Sequence, residues 1–305
     1  MSLKVESLTK LFGEQIAVNN VSFQIEKGEI AGFLGPNGSG KSTTMKCICG
    51  ILSRDGGNIE VAGIDLDGNL LEVKKIIGFL PENNPLPPEL YVKEYLGHID
   101  GFYNKRDKRS QRVNEIIELT GLTREKHKKI GQLSKGYRQR VGLAQAIIHD
   151  PRVLILDEPT TGLDPNQIVE IRNLILNLAS EKTVLLSTHI LQEVEAICDR
   201  VLVISEGKIV ADGTSSSIIQ EEKMGRQTIY LEFGKPVIKD LLEQINAVTK
   251  VEMINECEFL IEGNSTTDLR EEIFNFAADK HLSLLTLQKK EETLEEAFRK
   301  LTGNN

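Results

Sequence analysis

Residues Gly35 to Thr43 read G-P-N-G-S-G-K-S-T, and this stretch constrains the fold more than any other. It fits glycine, four residues, then Gly-Lys-Ser/Thr. An apolar run, Glu29 to Leu34, precedes it, and a helical pattern, Lys41 to Leu52, follows. Strand, loop and helix in that order make a cradle for phosphate. Glycines let backbone N–H groups converge without Cβ clashes, and a helix start adds unpaired N–H groups and the positive end of its dipole. Lys41 supplies a point charge for β- and γ-phosphates, and the Ser42 hydroxyl is a Mg²⁺ ligand candidate. Gly35, Pro36, Asn37, Gly38, Ser39, Gly40, Lys41, Ser42 and Thr43 thus form a candidate nucleotide loop in an α/β fold.

A second segment suits the same chemistry. Arg152 to Thr161 reads R-V-L-I-L-D-E-P-T-T. Its apolar run predicts a strand buried on both faces, as in a parallel sheet. Asp157 and Glu158 fall at the C-terminal end of that strand, where open α/β sheets bind ligands. Asp157 is placed to hold Mg²⁺, directly or through water, and Glu158 to polarise a water in line with the γ-phosphate. A third segment, Leu133 to Arg140, reads L-S-K-G-Y-R-Q-R and leads into an apolar helical pattern. Ser134 is a good N-cap residue, so the segment reads either as an ordinary capped helix or as a second anion-facing helix start.

Composition removes several function classes. The 305 residues carry a formal net charge of −8, which argues against general nucleic-acid binding. The local basic run Lys105 to Arg112 reads either as a basic patch or as a solvated helix start. No apolar run approaches the roughly 18 residues of a membrane span, and the N-terminus shows no signal core. Cys47, Cys49, Cys198 and Cys257 show no CxxC spacing and read as reduced, structural thiols. These features predict a cytoplasmic chain that cannot cross a membrane alone.

Together the segments resemble the ATP-binding subunit of ABC transporters: phosphate loop, signature helix, acidic strand, then a histidine in L-L-S-T-H, His189. The resemblance covers roughly residues 1 to 220. It implies a P-loop NTPase, ABC-type nucleotide-binding domain with a helical subdomain at about 84–150, ATP and Mg²⁺ as ligands, and hydrolysis to ADP and phosphate. It puts Phe12 on adenine, with Val18 lining the same pocket. Glu82 stands where many members have glutamine and adds negative charge beside the metal. The signature residues Ser134, Lys135, Gly136 and Tyr137 are expected at the γ-phosphate held by a partner copy. Lys135 stands at a usual glycine and Tyr137 at the usual glutamine. Asp164, in G-L-D, matches the loop that crosses between subunits, and His189 matches the switch histidine beside Glu158. With one phosphate loop and one signature per chain, a homodimer holding two ATP molecules head to tail is expected.

A narrower resemblance is carried by L-P-E-N-N-P-L-P-P-E-L-Y-V-K-E-Y-L, I-G-Q-L-S-K-G-Y-R-Q-R-V-G-L-A and T-H-I-L-Q-E-V-E-A-I-C-D-R. These are similar to ATP-binding proteins paired with ABC-2 type permeases, and within them to a gliding-motility-associated branch. A multi-span permease partner and a place on the cytoplasmic face of the inner membrane are implied, with export as the direction. A soluble ABC-type factor without a permease is the main other reading, and an ATP-gated binding module with negligible turnover, which Glu82 and Lys135 leave open, is a third.

The remaining chain is organised around these motifs. Residues 3 to 34 read as strands. Pro81, Pro85, Pro87 and Pro88 predict an extended connection, either a rigid spacer or a transmitter of nucleotide state. Glu206-Gly207 reads as a hairpin turn and Ser215 to Gly225 as a linker or boundary helix. Residues 221–305 follow the pattern βαββαβα, which predicts a small α+β, ferredoxin-like domain. It carries no catalytic cluster, and reads as a packing or dimer-stabilising module or as a ligand sensor. His281 and Cys257 read there as core or surface residues.

Overall fold

The structure, a computed structural model, describes residues 2–103, 109–222, 226–264, 268–290 and 293–303. Half of the basic run (residues 105–108), and the end of the expected linker at 223–225, lie outside the described residues. Contacts divide the described chain into two compact units, 2–214 together with 301–303, and 215–300.

The first unit is built on a six-stranded sheet. Its strands are β3 (Ile30–Leu34), β6 (Ile77–Leu80), β7 (Val153–Asp157), β8 (Thr183–Thr188), β9 (Arg200–Ser205) and β10 (Lys208–Gly213). Their order is β10-β9-β3-β8-β7-β6, parallel except for the antiparallel edge strand β10. Every residue of β3, β7 and β8 is buried. Continuous apolar strands covered on both faces are the reason for the parallel arrangement. The three strand ends that follow, at residues 35, 158 and 189, therefore lie side by side. The β9–β10 hairpin turns at Glu206 (φ 49°) and Gly207 (φ 75°), two positive-φ residues matched to strand twist.

A four-stranded antiparallel sheet accompanies it: β1 (Leu3–Phe12), β2 (Gln15–Ile25), β4 (Gly56–Val61) and β5 (Ile64–Asp65), in the order β2-β1-β4-β5. After β3 comes helix α1 (Lys41–Ile48), shorter than its apolar pattern suggested. Gly50 takes φ 61°, its N–H reaches the Cys47 carbonyl, and the Ile51 N–H reaches that of Lys46. This Schellman closure stops the helix before Leu52. Cys49 is therefore the cap residue, and it is buried like Cys47. All four cysteines are free. Burial pushes the Cys47 thiol up to about 11 and the Cys198 thiol up to about 12, as expected of inert, packed sulfurs.

β4, β5, α2 (Leu70–Ile76) and β6 fill a stretch that the sequence left unassigned apart from its end. Helices α3 (Val92–Tyr103), α4 (Arg109–Leu119) and α5 (Lys135–Ile147) follow, and bury Val92, Leu96, Ile116, Ile117, Val141 and Leu143 in one cluster. Arg112 is occupied by the Ile147 and Ile148 carbonyls and by Glu115 and Asp150, so that cation of the basic run braces the α5 C-terminus. Helices α6 (Pro165–Ala179) and α7 (Leu191–Ile197) complete the unit.

The packing of α5 on β6 depends on Gly78. A Cβ there would lie 2.1 Å from the Ala146 carbonyl oxygen and 2.9 Å from Pro151 Cγ. Gly78→Ala is expected to cost about 1–3 kcal/mol by overpacking, read as a lower midpoint in denaturant unfolding. An unchanged midpoint would mean that α5 moves aside freely.

The second unit opens with α8 (Ser215–Glu222). Strands β11 (Arg226–Phe233), β12 (Val248–Met253), β13 (Glu258–Asn264) and β14 (Leu284–Lys290) form an antiparallel sheet in the order β12-β13-β11-β14. The first and third strands of the unit are thus central, the ferredoxin-like order. Ile229, Leu231, Phe259 and Ile261 face Leu269 and Ile273 of α10 (Leu269–Asp279) in its core. Helix α9 is only Lys239–Leu242, because the chain beyond it closes by turn bonds such as Ile245 N–H to Leu242 O. Helix α11 (Leu294–Thr302) ends the described chain. His281 is exposed with φ 56°, and Cys257 is half-buried.

Candidate nucleotide site

The neighbouring strand ends of β3, β7 and β8 open into a cleft of about 620 Å³. Gly40 precedes α1 in a left-handed conformation, φ 108°, and no side chain caps the helix. A Cβ at Gly40 would lie 2.6 Å from the Ala17 carbonyl oxygen, so only glycine permits this turn. Asn37, Gly38, Gly40, Lys41, Ser42 and Thr43 line the cleft. Gly35 and Ser39 lie behind the lining: Ser39 is buried, and a Cβ on Gly35 would meet Ser39 Oγ at 2.6 Å and the Ile204 carbonyl at 2.4 Å. Pro36 offers its carbonyl to Lys41 at 3.1 Å, and Gly35 does so at 2.7 Å.

Lys41 is buried and stands 3.8 Å from Glu158 Oε1. Burial lowers its pKa, while the carboxylates of Glu158, Asp157 and Glu82 oppose that shift. Ser42 Oγ donates to Asp157 Oδ1 at 3.0 Å, and Ser187 Oγ donates to the same oxygen at 2.6 Å. Asp157 is buried and does not itself line the cleft; it is fixed directly behind Ser42, which does, by one hydroxyl from α1 and one from β8.

Glu158 has φ 51°, a left-handed conformation that a non-glycine residue holds only when its surroundings enforce it. Its N–H donates to Ser187 Oγ at 3.0 Å, and its carboxylate accepts from Thr161 Oγ1 at 2.9 Å. His189 Nδ1 lies 2.9 Å from Glu158 Oε2 and 3.0 Å from Oε1. The carboxylate is buried while the imidazole is partly open to solvent, so the pair faces the cleft with the histidine outermost.

Phe12 is half exposed at the cleft, as a flat apolar surface needs to be. Val18 is a correction. It is fully buried in the core, and Ala17 lines the cleft in its place. Successive residues of a strand point to opposite faces, so one register step on β2 separates the two. Glu82, just beyond β6, lines the cleft. Gln15, Thr161 and Ser187 also belong to the site. Sequence motifs singled out none of them; the hairpin pairing of Gln15 with Phe12 and the L-L-S-T-H context were the available signals.

The signature residues do not line the cleft of their own chain. Ser134 caps α5, accepting from the Tyr137 N–H at 3.4 Å. Gly136 is buried against Gln167, where a Cβ would lie 2.6 Å from the amide. Lys135 reaches over Gly162, and Tyr137 is exposed. Asp164 caps α6 by accepting from the Gln167 N–H at 2.9 Å. One chain therefore presents a nucleotide cleft and, apart from it, an exposed capped helix start.

The family model described as ABC transporter matches residues 18–161. The chain is similar over 99% of its length to the linearmycin resistance ATP-binding protein LnrL of Bacillus subtilis, at 33% identity and 98% of that protein. It is 34% identical to the bacitracin transport ATP-binding protein BcrA of Bacillus licheniformis, over 99% of this chain and 97% of the relative. It is 33% identical to a Nod factor export ATP-binding protein I of a Rhizobium species, with the same two coverages. Among solved structures, an ATP binding subunit of an ABC transporter superposes with a TM-score of 0.67 at 29% identity, covering 73% of this chain and 93% of the other. The dimeric bacterial cassette MJ0796 in a post-hydrolysis state bound to ADP and Pi superposes with a TM-score of 0.64 at 27% identity, covering 70% and 98%.

Proposed function

The chain belongs to the ATP-binding proteins of ABC transporters and is an ABC-type ATPase, and we propose that it drives export through a separately encoded, multi-span permease of the ABC-2 type. The observation that carries this reading is similarity along 99% of the chain, second unit included, to proteins named for resistance, transport and export. Among the described residues no helix is long and apolar enough to cross a membrane. In this reading a separate permease forms the path, and this chain sits on the cytoplasmic face of the inner membrane. The quoted segments around Glu82, Ser134 and His189 support the ABC-2 assignment and the gliding-motility-associated branch.

The working unit we infer is a homodimer, head to tail, with two ATP molecules between the copies. The separation of the capped α5 start from its own cleft supports this, since Ser134, Lys135, Gly136 and Tyr137 then face the γ-phosphate in the partner's cleft. Asp164 caps α6 through Gln167, the residue against which Gly136 packs, and in this reading belongs to the loop between copies. Phe12 stacks on the adenine, a contact worth about 1–3 kcal/mol. The backbone of residues 35–43 and Lys41 hold the phosphates. Glu158 takes the proton of the attacking water, and His189 holds that carboxylate and the γ-phosphate in one geometry.

Mg²⁺ fits the donors present. No group of three or more histidine, cysteine or acidic residues could hold a metal among the described residues, so the protein alone makes no metal cage. Ser42 Oγ and Asp157 Oδ1, 3.0 Å apart, are hard oxygen donors suited to an ion that keeps water and phosphate oxygens as its other ligands. Ser42 and Asp157 would hold it, with Glu82 as a further carboxylate at the rim. When bound, it neutralises charge on the β- and γ-phosphates.

Mild-detergent isolation of the protein from its native membranes, with co-purifying chains identified by mass spectrometry, tests the transporter reading. Recovery of one stoichiometric multi-span protein is expected. Absence from membranes, with soluble partners only, would replace it with the soluble-factor reading and leave the ATPase chemistry standing.

A further inference from the structure

We propose that Glu193 is a positioning residue for hydrolysis: its buried carboxylate bridges Thr160 and Thr188, and so fixes the separation of Glu158 and His189. Glu193 lies on α7 and is 2% exposed. Thr160 comes two residues after Glu158, in the turn leaving β7. Thr188 ends β8, immediately before His189. Thr160 Oγ1 donates to Glu193 Oε1, and Thr188 Oγ1 donates to Glu193 Oε2 at 2.7 Å. Both threonines are buried, Thr160 at 4% exposure and Thr188 at 0%.

The chemistry of the three groups dictates the arrangement. An ionised carboxylate only accepts. Both hydroxyl hydrogens must therefore point at it. Thr188 Oγ1 also accepts from the Ile190 N–H at 3.0 Å, which leaves that hydroxyl little choice of direction. Among the described residues the Glu193 carboxylate forms no ion pair, so its burial rests on charge-assisted hydrogen bonds. Such a group holds its two donors at a fixed spacing.

That spacing is inherited by the catalytic pair. The two loops otherwise meet at Ser187 Oγ, which accepts from the Glu158 N–H, and at the Glu158–His189 contact itself. Neither bond ties the turn beyond Glu158 to the end of β8: the Pro159 carbonyl accepts from Gln139 Nε2 of α5 at 2.8 Å, and the other bonds of the turn are local, such as Leu163 N–H to Thr160 O. Glu193 supplies the missing tie from behind. It does not line the cleft and touches no reactant.

The inference rests on hydrolysis at Glu158, and substitutions at one position separate it from a merely structural role. Glu193→Gln keeps the length. Its carbonyl accepts from Thr188, and its amide donates to Thr160 Oγ1, so both ties survive with one reversed. Glu193→Asp keeps the charge but is one methylene too short to reach both threonines. Glu193→Ala removes both ties. Steady-state phosphate release, ATP affinity by equilibrium binding and thermal melting are measured on the full chain. The expected pattern is a kcat within about threefold of wild type for Gln, and about tenfold lower for Asp and Ala, with KM and ATP affinity unchanged in all three. Asp matching wild type would overturn the proposal, as would kcat losses that track lowered melting temperature or lost ATP affinity. Should Ala fail to fold, the Gln and Asp variants still decide. Wild type without turnover would overturn both this inference and the hydrolysis reading, whereas a turning-over wild type with an indifferent Asp variant overturns this inference alone.

Discussion

Glu158→Gln is expected to bind ATP, to release phosphate at least about 100-fold more slowly than the parent chain, and to accumulate as a dimer at saturating ATP and Mg²⁺. The amide keeps the size of the side chain and can still accept from Thr161 Oγ1, which now donates at 2.9 Å. What it loses is the ability to take a proton, and general-base catalysis is worth about 10²–10⁴ in rate. The left-handed backbone at Glu158 remains held by the Ser187 hydroxyl and carbonyl, so the cleft keeps its shape. ATP then persists between the copies, and its γ-phosphate contacts are what hold them together. Phosphate release and light scattering after size exclusion read the two effects separately. Turnover equal to wild type would move the base to another group, and a variant that stays monomeric with ATP bound would remove the head-to-tail dimer.

What could be read from the sequence follows from how local each feature is. The loop 35–43 announces itself because phosphate binding by backbone requires glycines in consecutive places, and side-chain spacing records that directly. The strand into Asp157 is legible for a related reason: burial on both faces leaves an unbroken apolar run. The βαββαβα pattern of the last 80 or so residues could be read because each element is short, amphipathic and bounded by turns. Val18 shows where this legibility ends. A one-residue error on a strand reverses the face, and nothing in A-V-N-N-V says which neighbour meets the cleft. The stretch containing β4, β5 and α2 was opaque because its glycines weaken every periodic signal. Gly57, at φ 89°, would put a Cβ 2.4 Å from the Glu6 carbonyl oxygen; its place in β4 is set by close approach to β1, a tertiary cause. The ties made by Glu193 were invisible for the same reason. Thr160 and Glu193 are 33 residues apart, and only the parallel sheet brings them together.

Lys41→Met is expected to lower ATP affinity by at least about 100-fold, or about 2.8 kcal/mol at 1.4 kcal/mol per tenfold, with little change in the stability of the nucleotide-free chain. The cleft faces a polyanion with three carboxylates of its own, Asp157, Glu158 and Glu82, and all three act on Lys41. The lysine ammonium is the group that offsets them from inside the loop, held over the Gly35 and Pro36 carbonyls. Methionine is unbranched and only one atom shorter but carries no charge, so phosphate would meet uncompensated negative potential. Without nucleotide the balance is different. The substitution forfeits two hydrogen bonds to backbone carbonyls and the attraction of Glu158, Asp157 and Glu82, but also removes a buried ammonium whose charged form burial disfavours more strongly than those carboxylates favour it. These changes oppose one another, and the melting temperature of the free chain should move little. The effect of ligand should vanish instead, because a ligand stabilises in proportion to RT ln(1 + [L]/Kd), about 2.7 kcal/mol at 100 times Kd. At that same ATP concentration a 100-fold weaker variant gains only RT ln 2, about 0.4 kcal/mol. Thermal melting with and without ATP therefore decides the matter. A variant that keeps the full ATP-induced shift would show that the backbone of residues 35–43 holds the phosphates alone, with Lys41 serving the fold of the loop.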